Sequence, residues 1–484
     1  MLQPALTHGP LARLGQRTAF VGLLLYSAIA PHSIAGAEIS IAIATVGWIV
    51  RTMGSGSTGL HRSRIDIAVV LFLVWTAASS VLSAEPRISL LKLLPCWVVL
   101  VFYLTRATAT RTFAAVLIVT LVVSSTVGTI YSIFDLVRGR GVVIESINAG
   151  SPLQQFAIGP GDTVWRINSH RVYSTNDIDQ ELGKTAANGT FTVSIISRGE
   201  HVERTGVITA AVKSSGIVGN SRNHHFRASG FTRHYETFSE LLQMVAQLAF
   251  GLALAHLRNH GTNRLVKIAL AATLLLTVGI ALTAMRTVLV AFVLAAFLMA
   301  WRSAHGGVKL LVIFALIAVL GFGMVVIWKT RASSALSLAD PSSSLRTRVA
   351  QIGLSRVMLH PFFGHGMDAM KKHWNEWGFP GQDMIHLHST PLQLAFDRGL
   401  PALLIWVWIM FLLWTTIAAA EKSFSQRADT NAYGMLLGIL GGLTGFLASS
   451  LVNYNYGDGE VALLFWFLMG TAVVISSKTE SRRI

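Results

Sequence analysis

Two histidines one residue apart stand directly before a long apolar stretch of the chain. His386 and His388 occur in "IHLHSTPLQLAFDRGLPAL", which begins at Ile385, and Gln393 follows them. Imidazole titrates near neutral pH, so either ring can take a proton from a hydroxyl group. An H-x-H pair can also offer two ligands to zinc. No third histidine or acidic residue nearby has convincing ligand spacing, so we expect no metal and no other cofactor.

Arginines occur in the polar segments that flank the apolar runs. Arg286 lies in a turn, "TAMRT", that is too short to be a free loop between two apolar helices. Its position favours a functional charge over contact with lipid phosphates. A guanidinium is permanently charged and binds phosphate through a planar fork of N–H groups. Four further arginines are candidates for anion binding: Arg227, Arg233, Arg346 and Arg348.

The elements that carry these residues must be membrane helices. Of the 484 residues, 52% are hydrophobic and 13% are charged, and the mean hydropathy is +0.56. So few charges cannot cover the surface of a soluble protein of this length. Apolar runs of membrane-spanning length predict about twelve helices. They lie near 18–34, 37–51, 66–83, 89–105, 113–136, 235–256, 265–283, 286–302, 308–328, 400–420, 432–452 and 460–477, with a short helix at 390–397.

The distribution of basic residues orients these helices. One alternating set of short loops holds most of the lysines and arginines, and cytoplasmic loops are the basic ones. Both termini are therefore predicted to be cytoplasmic, and both long polar intervals, 137–234 and 329–389, extracytoplasmic. Contact of basic loops with anionic lipids explains much of the formal charge of +16. No basic groove with interleaved aromatic residues is present, which argues against a nucleic-acid partner.

The first polar interval contains a small domain. Short β-type runs at 142–147, 163–167 and 190–196 alternate with turn residues, and 175–183 is predicted to be a helix capped by Asn176. The motifs "SPLQQFAIGPGD", "INSHRV" and "VSIISRG" resemble a PDZ domain of the bacterial, protease-associated type. PDZ domains bind a peptide by adding it to a sheet edge. The resemblance implies a peptide or protein partner, although "RGRGVVI" stands where the carboxylate-binding loop would be, and a spacer domain packed on the membrane core is the alternative.

The second interval resembles the signature region of the O-antigen ligase and polysaccharide polymerase family. The resemblance rests on "SSLRTRVAQIGLSRVMLHPFFGHGMDAM", on "HLHSTPLQLAFDRGLPALLIW" and, before them, on "LTAMRTVLVAF" with Arg286. Arg346 or Arg348, His388 and Gln393 fill family positions. Such enzymes transfer a glycan from a polyprenyl diphosphate carrier to an acceptor hydroxyl, outside the cytoplasmic membrane.

The resemblance implies roles for the candidate residues. His388 is expected to deprotonate the acceptor hydroxyl, and Arg286 to hold the donor diphosphate. Donor or glycan binding is expected from Arg227, Arg233, Arg346, Arg348, His386 and Gln393. The implied partners are an undecaprenyl-diphosphate-linked glycan, a lipid A core or growing glycan as acceptor, and membrane lipids. The implied location is the bacterial inner membrane, with the active site facing the periplasm.

The sequence therefore predicts an all-α polytopic membrane protein, with a core like that of C-type glycosyltransferases and a small periplasmic α+β domain. Its predicted divisions are membrane helices at 1–137, the PDZ-like domain at 138–213, membrane helices at 214–328, the signature loop at 329–399 and the C-terminal helices and tail at 400–484. Two other function classes stay open: a lipid-glycan flippase or transporter, and a PDZ-bearing membrane scaffold. The choice between ligase and polymerase also stays open.

Overall fold

The computed structural model describes residues 9–156, 158–197, 200–208, 214–224, 226–232, 234–303, 306–331, 341–380, 385–426 and 429–477. Most of these residues are helical. The helices are α1 Pro10–Ile29, α2 Ile34–Ser55, α3 Arg64–Leu82, α4 Pro86–Leu91, α5 Leu100–Thr108, α6 Arg111–Arg138, α7 Thr175–Gly183, α8 Tyr235–His260, α9 Arg264–Leu282, α10 Arg286–Ser303, α11 Gly306–Arg331, α12 Pro341–Val357, α13 Ala369–His373, α14 Thr390–Gln426, α15 Thr430–Ser450 and α16 Gly459–Ser476.

Nine helices among the described residues are long and apolar enough to cross a membrane: α2, α3, α6, α8, α9, α10, α14, α15 and α16. The predicted first helix at 18–34 begins earlier, at Pro10, and ends at Ile29. The predicted continuous helix at 89–105 is divided into α4, a 3₁₀ turn at Leu94–Val99 and α5. Pro95 explains this division, because its ring fixes φ and it has no N–H to donate within a helix.

The centre of the bundle is formed by α8, α15 and α16. Within their most apolar stretches, 94%, 83% and 78% of the residues are buried inside the protein. Helices α8 and α15 approach so closely that a Cβ atom added to Gly251 would lie 2.4 Å from the backbone nitrogen of Gly438. Glycine at this crossing lets the two backbones pack directly, as in other membrane helix pairs with small residues at the interface.

A small α/β unit lies between α6 and α8. Its strands are β1 Val142–Val143, β2 Ser146–Ile147, β3 Thr163–Ile167, β4 His170–Arg171, β5 Thr190–Ser197, β6 Glu200–Val207 and β7 Ile217–Val218. The main sheet has the order β1-β3-β5-β6 with β4 also on β3, and β2 pairs with β7; all of these pairings are antiparallel. An apolar core that includes Val164, Phe191 and Leu182 of α7 fills the unit.

The predicted helix over 175–183 is present, but its cap differs from the predicted Asn176. The Ser174 hydroxyl accepts a hydrogen bond from Asp177 N, and the Asp177 carboxylate accepts one from Ser174 N. This reciprocal arrangement is a capping box, which satisfies two backbone donors at once. The N-cap is therefore Ser174, and Asn176 lies within the first turn of α7.

The α/β unit is joined to α6 through a buried ion pair. The Arg140 guanidinium donates to the Asp135 carboxylate at 2.6 Å and 2.5 Å, and both residues are buried. The Arg140 side chain also stacks on the rings of Trp165 and Phe226. Arg140 and Asn223 exchange backbone hydrogen bonds, so the chain enters and leaves the unit through adjacent segments.

Candidate active site

A polar cavity of about 460 Å³ opens among the ends of α8, α14 and α16, the turn between α15 and α16 and the segment that follows α4. Its polar and charged lining residues are Lys92, Cys96, Glu236, Thr237, Glu240, Asp368, Lys371, His386, His388, Gln393, Asp397, Arg398, Asn453, Tyr454, Asn455, Tyr456 and Asp458. All of them lie outside the α/β unit. The two predicted histidines and Gln393 are thus brought to one cavity with groups from distant parts of the sequence.

A break in α14 shapes one wall of the cavity. Gly399 has φ 80° within this helix, and Pro401 has no N–H to donate to the Asp397 carbonyl. The three carbonyls before the break find other partners: Phe396 O accepts from His365 N at 2.8 Å, Asp397 O from Gly366 N at 3.0 Å, and Arg398 O from Trp75 Nε1 at 3.0 Å.

The "HPFFGHG" turn is what reaches these freed carbonyls. A Cβ atom on Gly364 would lie 2.5 Å from the Asp397 carbonyl carbon, and one on Gly399 would lie 1.9 Å from the Phe362 carbonyl oxygen. Both glycines also have positive φ, which other residues seldom adopt. The turn and the break in α14 are therefore one structural unit that presents Asp397 and Arg398 to the cavity.

Gln393 holds the backbone before α14 in place. Its side-chain oxygen accepts a hydrogen bond from Leu387 N at 2.8 Å, and its side-chain nitrogen donates to Asp397 Oδ1 at 2.9 Å. The next residue, His388, has φ 51°, an unusual conformation for a non-glycine residue. Gln393, predicted to bind substrate, lines the cavity and also fixes the position of His388.

His386 and His388 pack against each other with ring centroids 4.3 Å apart and nearly perpendicular planes. His388 Nε2 and His386 Nδ1 are buried, and neither has a hydrogen-bond partner among the described residues. Burial, with smaller contributions from His386 and Arg346, lowers the pKa of His388 to about 3. Burial also lowers the pKa of His386. His388 is therefore neutral near pH 7 and has a ring nitrogen available to an incoming group.

A buried carboxyl group, that of Glu240, organises the wall formed by α8 and the turn before α16. It accepts hydrogen bonds from the Ser449 hydroxyl at 2.7 Å and from the Asn453 and Asn455 amides at 3.1 Å and 3.3 Å. Asn455 in turn accepts from the Thr390 hydroxyl at the start of α14, at 2.9 Å. Glu240 is not among the site residues predicted from the sequence. The signal was present, because Glu236 and Glu240 are four residues apart on the first turns of an otherwise apolar helix.

Three basic residues, Lys92, Lys371 and Arg398, also line the cavity. Arg398 is 8% exposed; its Nη2 donates to the sulfur of Met367 at 3.1 Å, and its guanidinium lies 5.5 Å from the centre of the Phe72 ring. The neighbouring Asp368 is shared by Lys92 and Lys371, each at 2.9 Å. Burial would raise the pKa of Asp368, but the hydrogen bonds from the two lysines outweigh it and lower that pKa.

The predicted arginines occupy different positions. Arg286 begins α10 next to Thr287, whose hydroxyl accepts from the cavity residue Asn453 at 3.2 Å, but Arg286 is not itself among the described lining residues. Arg227 is buried under the ring of Tyr235 at 4.2 Å. Arg346 and Arg348 lie on α12, half-buried and exposed respectively, outside the described lining. Arg233 lies outside the described residues.

A metal site at His386 and His388 would need further ligands. Within the described ranges, no group of three or more histidine, cysteine, aspartate or glutamate side chains is arranged to hold a metal ion.

One comparison with known proteins bears on this site. Residues 271–407 match the sequence model of the O-antigen ligase family. The matched region runs from α9 through the first turns of α14 beyond the break, and so contains Arg286, His386, His388, Gln393 and Arg398. No curated protein matches the chain. Together with its apolar helices, the match indicates a multi-pass membrane protein of the glycan ligase or polymerase type, and the chain carries an O-antigen ligase domain over residues 271–407.

Proposed function

We propose that this protein transfers a saccharide from an undecaprenyl diphosphate carrier to an acceptor hydroxyl, within the polar cavity and on the periplasmic side of the bacterial inner membrane. The observation that carries the proposal is His388: a neutral imidazole with a buried, unpartnered Nε2 in a cavity lined by polar groups. A hydroxyl that enters this cavity meets a hydrogen-bond acceptor that is not occupied by any group in the described part of the chain.

The reaction needs one base and one good leaving group. His388 Nε2 accepts the proton of the acceptor hydroxyl, whose oxygen attacks the anomeric carbon of the donor sugar. The bond from that carbon to the diphosphate oxygen breaks, and its electron pair leaves with the lipid diphosphate. No nucleotide is needed at the site, because the diphosphate is already a good leaving group. General-base assistance of this kind contributes about 10²–10⁴-fold to the rate.

The low pKa of His388 belongs to the protein without substrate. A base with a pKa near 3 is weak, but the pKa of His388 is lowered first by burial and then by the electrostatic effect of His386 and Arg346 on its protonated form. A bound diphosphate brings negative charge into the same cavity, and an opposite charge nearby favours the protonated form of an imidazole. Donor binding therefore raises the basicity of His388 toward the value that proton transfer requires.

The Glu240 end of the cavity suits a sugar. Amides, phenols and carboxylates from Asn453, Tyr454 and Asp458 line this wall, and each can donate to or accept from a glycan hydroxyl. Burial raises the pKa of the Tyr454 phenol, which stays protonated and can donate. The proposed acceptor is a lipid A core for a ligase or the end of a growing glycan for a polymerase.

The test is transfer from purified lipid-linked glycan by the full-length protein in detergent, with a chelator present. Transfer that persists with chelator supports the proposal, and absence of transfer to any acceptor glycolipid would contradict it. The surface glycan of a deletion strain then separates the two reactions. Full-length polymer left on its carrier indicates a missing ligase, whereas single repeats on a finished anchor indicate a missing polymerase.

A further inference from the structure

Arg398 is a buried cation that the protein itself does not fully partner. Its Nε and Nη1 atoms are buried and have no hydrogen-bond partner among the described residues, and the residue is 8% exposed. The described contacts of its guanidinium are with a thioether sulfur and an aromatic face. Both are weaker than a charge-assisted hydrogen bond to an oxygen anion.

The Asp397 charge attracts the guanidinium, but nearby carboxylates leave Nε and Nη1 without a hydrogen bond in the described structure. Asp397 is the adjacent residue, but its carboxylate accepts from the Gln393 amide, and Asp368 is shared by Lys92 and Lys371. A buried charge without a partner lowers stability, so a protein keeps one where an incoming ligand supplies the partner. Because Arg398 lines the cavity, that ligand arrives through the cavity.

We infer that Arg398, with Lys92 and Lys371 at the rim, binds the diphosphate of a polyprenyl diphosphate. This inference rests on the proposed function and names the donor-binding end of the same cavity. A diphosphate offers several anionic oxygens, which can accept from the unpartnered N–H groups of Arg398 and from the two lysine ammonium groups. The side chains of Lys92 and Lys371 are 43% and 44% exposed, so a ligand can reach them.

The position of Arg398 relative to His388 fits an in-line displacement. Thr390 to Arg398 covers roughly 12 Å of helix at 1.5 Å per residue, and His388 precedes this stretch. Tyr454 also lines the cavity, with its ring 5.6 Å from that of His386. The attacking hydroxyl and the leaving diphosphate must lie on opposite sides of the anomeric carbon, and the length of this helical stretch separates the base from Arg398.

The test measures binding rather than transfer, with the full-length protein in detergent and farnesyl diphosphate as the probe. We expect Arg398→Gln to weaken binding by about 10–100-fold, the range for a lost hydrogen bond to a charged group. The rim variants Lys92→Gln and Lys371→Gln should weaken it less. The matched control is Arg356→Gln, because Arg356 packs on Trp377 outside the described lining of the cavity, and it should bind the probe as the wild type does.

Thermal unfolding separates binding from a structural role. Without probe, Arg398→Gln should melt at or above the wild-type temperature, because it removes a buried unpaired charge. With probe, the wild type should be stabilised and Arg398→Gln should not. Equal affinity in both proteins, or a lower melting temperature for Arg398→Gln combined with normal probe binding, overturns the inference. If Arg398→Gln does not fold, Arg398→Lys and the two rim variants decide the question by the same binding measurement.

Two further measurements identify the ligand and separate this inference from the proposed function. Farnesyl monophosphate and phosphatidylglycerol should compete poorly; equal competition by phosphatidylglycerol would assign the site to a phospholipid headgroup and overturn the inference. His388→Ala should retain probe binding. If transfer depends on His388 but Arg398→Gln binds the probe normally, the inference is wrong and the proposed function stands. If probe binding depends on Arg398 but no transfer is observed, the proposed function is wrong and the diphosphate site stands.

Discussion

Two buried arginines in this protein have opposite surroundings. Arg140, at the junction of α6 with the α/β unit, is held by two hydrogen bonds to Asp135 and lies between aromatic rings. Arg398, in the cavity wall, is buried to a similar degree but leaves Nε and Nη1 without partners in the described structure. A buried cation whose hydrogen bonds are made inside the protein can join two structural elements. A buried cation that lacks such partners is available to bind a ligand.

The same contrast extends to the regions around the two arginines. At the junction, Arg171 approaches Asp135 and donates to the Tyr131 hydroxyl, and Arg140 and Asn223 exchange backbone hydrogen bonds. In the cavity, His386 and His388 each have a buried nitrogen without a hydrogen-bond partner in the described part of the chain. Changes at the junction should therefore alter stability, and changes in the cavity should alter transfer.

The largest effect is expected for His388→Ala. It should reduce turnover by about 10²–10⁴-fold with little change in melting temperature, because the lost group acts as a base and its Nε2 has no partner among the residues that the structure describes. The measurement is transfer from lipid-linked glycan at saturating donor. His360→Ala, at an exposed histidine outside the described cavity lining, is the control and should remain active. Near-normal turnover of His388→Ala would show that His388 is not the general base.

At the junction, Asp135→Ala should lower the free energy of unfolding by about 3–5 kcal/mol, because it leaves the Arg140 charge buried and alone. The double variant Asp135→Ala/Arg140→Met should recover much of this loss. Denaturant unfolding in detergent measures the free energy of unfolding of the single and the double variant. If the single variant is as stable as the wild type, the junction is not held by this ion pair, and the contrast with Arg398 fails.

Removal of the α/β unit tests whether the cavity is independent of it. Replacement of residues 142–221 by a short Gly/Ser linker should leave a folded membrane core with partial transfer activity in liposomes. The Arg140 and Asn223 ends are already adjacent, and no described cavity-lining residue lies in the deleted segment. Complete loss of activity with normal expression would show that the unit contributes to the active site. Activity lost only in cells would instead support the predicted partner of a PDZ-like domain.

The smallest effect is a pH dependence. The pKa of His388 is about 3 in the folded protein, against 6.5 for an ordinary histidine. The unfolded chain therefore takes up a proton at this site as the pH falls below 6.5 while the folded protein does not, so stability is lost between pH 6.5 and 3. Melting temperatures at pH 7.5 and pH 5 should differ less for His388→Ala than for the wild type. An acid limb near pH 6.5 in kcat/KM that disappears in His388→Ala would contradict the low pKa.

The sequence by itself determined the class of the protein and the family domain that it carries. Apolar runs with few charges require membrane helices, and the pattern around His388 predicted the O-antigen ligase domain that the family match confirms. The strand at 163–167 and the helix at 175–183 were also predictable, because local alternation, turn residues and capping are encoded within a few positions.

Only the tertiary structure decided which polar groups share the cavity. Glu240, Asn453 and Arg398 are far apart in sequence and meet because α8, α14 and the turn before α16 converge. The break at Gly399 and the contacts of Gln393 give Asp397 and Arg398 separate hydrogen-bond partners, although the two residues are adjacent in the sequence. Whether a buried charge is satisfied depends on long-range contacts, and local sequence pattern carries no information about these.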